Sequence, residues 1–166
     1  MCCTQELETR KSEFEKLALQ CLDLLYDTAF RMTKNTENAQ ALIQDTYIRA
    51  YKAFDKIEDD LGFRIWLFKI FKSLYMSKYS QENIKETINA FCLCDFDEPE
   101  NIGVDTSDDI SAAVEFLPEY LRLAVILSNI EGFSYKQIAE ILGISENCVI
   151  YLLNRGLRIL RKSLRS

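Results

Sequence analysis

The sequence predicts an all-α protein of two small helical domains, and three observations carry that expectation. Only five Gly and two Pro stand among 166 residues, too few punctuators for the many turns of a sheet-rich chain. Runs of Leu, Ile, Ala, Lys and Glu dominate, the residue types that lose least on entering a helix. Apolar residues recur at three- and four-residue spacing on both sides of a stretch, 81–110, where that spacing fades. The length fits one ordinary domain or two small ones.

Composition excludes several classes of function. With 48% hydrophobic and 28% charged residues, the chain has the make-up of a folded soluble protein. The absence of His removes histidine general bases, His-containing zinc sites and Ser-His-Asp hydrolases together. Met1 to Glu15 is polar, with Glu6, Glu8, Glu13 and Glu15, and no apolar run approaches the roughly 20 residues of a spanning helix. A cytoplasmic protein with no membrane insertion is expected. Six Cys are too dilute for a secreted disulfide scaffold. Cys21 and Cys148 fall at apolar-periodic positions and read as small core residues, whereas Cys2-Cys3 and Cys92-x-Cys94 lack the usual spacing of zinc ligands. No metal and no cofactor are expected. The acidic residues of 81–110 have no rigid elements to hold a catalytic ion, so no enzyme is expected either.

Each element follows from its spacing. A first helix over Ser12 to Met32 places Phe14, Leu17, Ala18, Cys21, Leu25 and Thr28 or Ala29 on one stripe. Thr36 or Asn38 can cap a second, in which Ala39, Leu42, Ile43, Thr46, Ala50 and Phe54 recur. Asp59, Asp60 and Gly62 interrupt the pattern, and a third helix runs from Leu61 or Phe63 to Tyr79. It is apolar almost all round. Phe63, Trp66, Leu67, Ile70 and Leu74 form one seam; Arg64, Phe68, Phe71, Lys72, Tyr75 and Tyr79 form an opposite face of interleaved rings and cations. Such a face suits unstacked bases and their phosphates, or else packing against another helix. Beyond a short helix over 83–91, residues 81–110 read as a linker.

The second domain starts near Ile110. Leu117-Pro118-Glu119 opens a helix with Pro in its first turn. Ser134 and Gln137 have capping-box spacing ahead of a helix from Tyr135 to Leu142. Gly143 can take a left-handed conformation, Ser145 can cap, and Glu146 to Leu164 reads as a long last helix. A short helix, a tight turn and a second helix at this spacing describe a helix-turn-helix.

Charge divides unevenly along the chain. The net charge of -6 resolves into 0 for residues 1–80, -8 for 81–110 and +2 for 111–166. Arg64, Lys69, Lys72 and Lys78 are the only charged residues from 64 to 80, and Arg155, Arg158, Arg161, Lys162 and Arg165 the only ones from 150 to 166. Two cationic patches flank an anionic connector, so the total charge says little about local partners.

Four segments then make a specific resemblance: Ala39 to Tyr51 (AQALIQDTYIRAY), Phe63 to Ile70 (FRIWLFKI), Leu117-Pro118, and Glu131 to Ser145 (EGFSYKQIAEILGIS). In order and spacing they resemble bacterial RNA polymerase sigma factors of the extracytoplasmic-function group, over about residues 12–165. The resemblance implies a domain of region 2 type at 1–80, an acidic linker at 81–110 and a domain of region 4 type at 111–166. It implies that the first docks on the clamp helices of core RNA polymerase and opens the promoter -10 element. The second would bind the -35 element and the polymerase flap, with the linker directed toward the RNA exit channel.

Carried over by position, the resemblance implies that Leu42, Ile43, Gln44, Asp45 and Arg49 contact the polymerase. It implies that Arg64, Phe68, Lys69, Phe71, Lys72 and Tyr75 contact the -10 strand, with Trp66 in the core. For the -35 element it implies Ser145, Asn147, Ile150, Tyr151, Asn154, Arg155 and Arg158. The loop Lys56 to Gly62 matches the place where the family captures a flipped base, but it carries Glu58, Asp59 and Asp60. Three departures stand out: Gln40-Ala41 replaces an acidic pair of the docking helix, Ser80-Gln81 replaces basic residues, and Cys148, Ile150, Tyr151 and Leu152 occupy positions where the family favours Thr, Lys, Ser and Arg. The departures admit an alternative, a sigma-like regulatory protein whose surface around Ile150, Tyr151 and Leu152 grips an anti-sigma factor or activator and reads DNA weakly.

Overall fold

The computed structural model describes residues 2–54, 59–80, 86 and 112–165, and among these every regular element is helical. The chain forms two compact units, Met1–Tyr75 and Met76–Ser166. The short helix expected over 83–91, the Cys92-x-Cys94 pair and nearly all of the acidic linker lie outside the described residues.

The first unit is built on α1 (Cys2–Thr33), α2 (Thr36–Ala53) and α3 (Asp60–Lys78). Helix α1 begins well before the expected Ser12. Its first turns carry Glu6, Leu7, Glu8, Arg10 and Lys11, and a tertiary contact holds them: the Arg10 guanidinium donates to the Phe54 carbonyl just past α2. The α1 end is closed by Lys34 in a left-handed conformation, φ 56°, whose N–H bonds the Phe30 carbonyl at 2.8 Å. Asn35, and not the expected Thr36 or Asn38, then caps α2: its side chain accepts from the Asn38 N–H at 3.0 Å. The Asx side chain sits in an extended residue, so it reaches the third N–H of the helix.

The expected α2 stripe is the buried one: Ala39, Leu42, Ile43, Thr46, Ala50 and Phe54 are all buried. Phe14 of α1 is the centre of the aromatic core, its ring meeting those of Tyr51 and Phe54 at 5.3 Å, Phe63 at 5.9 Å and Tyr47 at 6.5 Å, all edge-on. Edge-to-face pairs of this kind add to simple area burial. The two buried threonines satisfy their hydroxyls within their own helices, Thr28 on the Leu24 carbonyl and Thr46 on that of Leu42.

Helix α3 departs from the two-faced expectation. Phe63, Leu67, Phe68, Phe71, Leu74 and Tyr75 are buried, whereas Trp66 and Ile70, placed in the seam, are half-exposed. At 3.6 residues per turn the six buried residues occupy one arc of about 140°. The seam and the aromatic face are thus halves of a single broad core face. Asp59 caps this helix, accepting from the Gly62 N–H at 2.5 Å. That assigns one acid of the loop 56–62 a structural role; residues 56–58 lie outside the described set.

The second unit contains a 3-10 turn (Val114–Phe116), α4 (Glu119–Val125) continuing into a π-helical turn (Ile126–Ile130), α5 (Tyr135–Leu142) and α6 (Glu146–Arg165). Seven consecutive residues, 121–127, are buried. Among them Arg122 donates to the Leu117 carbonyl at 2.9 Å, which offsets part of the cost of burying its charge. The π-helical turn was not visible in the spacing; it is closed by the Glu131 N–H on the Ile126 carbonyl at 3.0 Å.

Candidate functional site

The α5–turn–α6 unit is set by three local devices, all legible in the residues. The capping box forms: the Gln137 N–H donates to the Ser134 hydroxyl at 3.2 Å, and the Ser134 N–H donates to the Gln137 side chain at 2.9 Å. Gly143 takes φ 70°, ψ 36° and returns its N–H to the Ala139 carbonyl. The Ser145 hydroxyl accepts from the Cys148 N–H at 3.2 Å and starts α6. A left-handed residue between two capped helices fixes the angle at which α6 leaves.

Helix α6 is sharply two-sided. Cys148, Val149, Leu152, Leu153, Gly156 and Leu160 are buried, and Gly156 lets α6 approach α4 closely. The seven residues expected at the -35 element all lie outward: Ser145, Asn147, Arg155 and Arg158 are exposed, and Ile150, Tyr151 and Asn154 half-exposed. Those within the helix fall on an arc of about 140° at helical spacing. Leu152 is the correction. It is fully buried, so the apolar surface around 150–152 is Ile150 and Tyr151 alone. Cys148 is buried as expected and is disulfide-bonded, unlike Cys3 and Cys21.

One side-chain pair organises the middle of this face. The Arg155 guanidinium donates to the Tyr151 hydroxyl at 3.1 Å. Partial burial works against the arginine's charge, but hydrogen bonds to Tyr151 and Tyr120 outweigh it, and its pKa is raised.

The ring-and-cation face of α3 survives in its cations and in Tyr79, half-exposed just past the helix, but not in its other rings. Arg64, Lys69 and Lys72 are half-exposed, but Phe68 and Tyr75 are 1% exposed and Phe71 not at all. Tyr75 also directs its hydroxyl to the Met32 carbonyl at 3.4 Å. These three rings present no face on which a base could stack, because the core arc of α3 takes them in. Trp66, assigned to the core, keeps one side accessible while packing on Phe54 and Phe63 at 6.3 and 5.8 Å.

The α2 set divides as its own stripe dictates. Gln44 and Arg49 are exposed and Asp45 half-exposed, but Leu42 and Ile43 are core residues. The outward apolar residues of α2 are instead Ile48, 55% exposed, and Tyr51, 41% exposed. Both lie off the buried stripe, and that was the available signal: an Ile and a Tyr on the wet arc of an amphipathic helix.

Comparison with known proteins follows these surfaces. Residues 17–83 match Sigma-70 region 2, and residues 107–160 match Sigma-70, region 4. A relative in Mycolicibacterium smegmatis, the ECF RNA polymerase sigma factor SigE, is 30% identical over an alignment of 156 residues that covers 89% of this chain and 60% of that protein.

The chain belongs to the extracytoplasmic-function sigma factors.

A second member, the ECF RNA polymerase sigma factor SigW of Bacillus subtilis, is 27% identical, with 86% of this chain and 84% of that one aligned. The chain spans 60% of the mycobacterial sigma factor's length. The fold is shared with solved structures. One is the sigma factor RpoE in complex with the anti-sigma factor NepR from Bartonella quintana, with TM-score 0.66, 23% identity and 92% and 97% of the two chains covered. Another is CnrH in complex with the cytosolic domain of CnrY, with TM-score 0.68, 21% identity and 93% and 89% covered. A sigma factor acts in transcription regulation and is not an enzyme. No helix among the described residues is long and apolar enough to cross a membrane.

Proposed function

We propose that this chain is a cytoplasmic sigma factor that binds core RNA polymerase and directs promoter recognition and melting. The observation that carries the reading is the outward arc of α6, where Ser145, Asn147, Ile150, Tyr151, Asn154, Arg155 and Arg158 share one face behind a capped turn. A helix so presented fits the major groove, with base contacts from its first turns and phosphate contacts from its later cations. In the first domain, Gln44, Asp45 and Arg49 on α2 hold the polymerase, with Ile48 and Tyr51 supplying the apolar part of the contact. Arg64, Lys69 and Lys72 of α3 neutralise the -10 strand. The domain limits 1–80 and 111–166 and the acidic connector between them complete this reading.

An anti-sigma factor is the expected regulator, since the Bartonella quintana sigma factor named above was captured with one. The alternative, a protein-gripping α6 with weak DNA readout, keeps Ile150 and Tyr151 of its expected apolar surface but loses Leu152, which is buried.

Co-purification with bacterial core RNA polymerase, then permanganate footprinting on promoter DNA against core alone, tests the proposal. Retention on core with a newly reactive -10 region is the expected result. Absence of core binding at low salt would overturn it.

A further inference from the structure

We propose that α6 reads an upstream promoter element of A·T base pairs and makes no guanine-dependent contact. The proposal rests on the promoter-reading function above and specifies its DNA ligand. A recognition helix meets base edges with its N-terminal residues, here 146–154, and that stretch contains neither Lys nor Arg. Guanine is read in the major groove by a basic side chain on O6 and N7. The first cation of α6 is Arg155, and its guanidinium is already directed back along the helix to the Tyr151 hydroxyl at 3.1 Å. It stands where the helix turns from base edges toward phosphate, as do Arg158, Arg161 and Lys162 after it.

What does reach outward from 146–154 favours adenine and thymine. Cys148, Val149, Leu152 and Leu153 are buried. Asn147, Ile150, Tyr151 and Asn154 remain; Tyr151 accepts from Arg155, and the other three, at i, i+3 and i+7, lie within about 60° of one another at 3.6 residues per turn. An Asn side chain pairs with adenine N6 and N7, and an aliphatic side chain packs on the thymine methyl. Asn147 and Asn154 are about 10 Å apart along the helix axis. Ile150 lies between them. The arrangement therefore selects adenines on either side of a thymine methyl. Glu146 is the one side chain here suited to a cytosine amino group. It sits in the first turn of α6, where the helix dipole stabilises its charge and nearby phosphates repel it from the groove.

The test uses the full chain bound to core RNA polymerase and a library of duplexes randomised across the promoter. Complexes are isolated and their DNA sequenced. The expected result is an upstream element enriched only in A·T pairs. Asn147→Ala and Asn154→Ala should each relax one adenine position roughly ten-fold, and Asn154→Arg should convert that position toward guanine. A G·C pair enriched at a fixed upstream position by the unaltered chain would overturn the inference and leave the sigma function standing. So would a melted -10 region with no upstream element. Loss of core binding itself would overturn both.

Discussion

Gly156 is where the second domain is most sensitive to one methyl group. It is buried in the middle of α6, where glycine costs about 1 kcal/mol relative to alanine. An added Cβ would lie 2.8 Å from the Val125 Cγ2, with Leu117 Cδ1 and Leu121 Cβ each at 3.8 Å. Ordinary carbon contacts are about 3.5 to 4.0 Å, so α4 and α6 would have to part by close to 1 Å. Val125 cannot swing aside: it is fully buried, and a β-branched side chain on a helix has one strongly preferred rotamer. Overpacking of this kind costs about 1 to 3 kcal/mol. Set against the propensity gain, Gly156→Ala should destabilise the domain by about 0 to 2 kcal/mol. With a urea slope of about 1 to 1.5 kcal/mol per molar, a net loss near 1 kcal/mol lowers the midpoint by roughly 0.7 to 1 M.

The single tryptophan makes the assay domain-specific. Trp66 lies on α3 of the first unit, so its fluorescence midpoint should stay fixed while far-UV circular dichroism loses stability in the second unit. Val125→Ala alone should cost about 2 to 3 kcal/mol. Together with Gly156→Ala it should cost less than the sum, by about 1 to 2 kcal/mol, because each change relieves the other. A Gly156→Ala midpoint that rises by the full propensity gain, or additivity within about 0.3 kcal/mol, would refute the close-packing argument.

Three further outcomes are expected. Burial foremost raises the Cys21 thiol above its ordinary 9.0 and raises the Tyr47 phenol, whose hydroxyl donates to the Ala18 carbonyl at 2.9 Å. Both groups bind protons more tightly folded than unfolded, so the first unit should hold full stability below about pH 9 and lose it as pH rises further. Trp66 fluorescence in urea at a series of pH values checks this, and Cys21→Ala should delay the onset to about pH 10, where tyrosine takes over. Ser134→Ala breaks the capping box and should cost the second unit about 1 kcal/mol, read from the circular dichroism transition. Ile48→Glu alters an exposed α2 residue, so it should leave the Trp66 midpoint within about 0.5 kcal/mol while weakening core polymerase capture.

Local chemistry was legible wherever one residue type answers one backbone need. Ser134, Gln137, Gly143 and Ser145 announced the α5–α6 turn because caps and left-handed positions admit few residues. The α2 stripe was equally plain, and it already contradicted the family transfer: Leu42 and Ile43 were both core residues by spacing and contact residues by resemblance, and spacing prevailed. Helix α3 was the opposite case. Apolar residues nearly all round the helix leave the orientation of its core arc open, and only the packed structure shows that Phe68, Phe71 and Tyr75 join Phe63 and Leu67. The π-helical turn at Ile126–Ile130 left no mark in the pattern either: its first two residues end the buried run 121–127, and only Ser128, Asn129 and Ile130 are half-exposed, too few to show a shift of phase.

On the promoter-melting proposal, the burial of the α3 rings changes how melting must be divided among residues. If Phe68, Phe71 and Tyr75 offered stacking platforms, α3 could hold an unpaired strand by itself, since base stacking on a ring contributes about 1 to 3 kcal/mol per base. With the rings in the core, α3 contributes Arg64, Lys69 and Lys72, whose contacts with phosphate are long-ranged, salt-sensitive and indifferent to sequence. Such contacts follow a strand but do not choose it. On the promoter-reading proposal, choice then falls to α6 and to Trp66, the one α3 ring left half-exposed. Two weak surfaces on one chain gain affinity together through their high effective concentration, provided their spacing matches the DNA. The polymerase that holds α2 can fix that spacing, which makes promoter selection a property of the assembled complex more than of either domain alone.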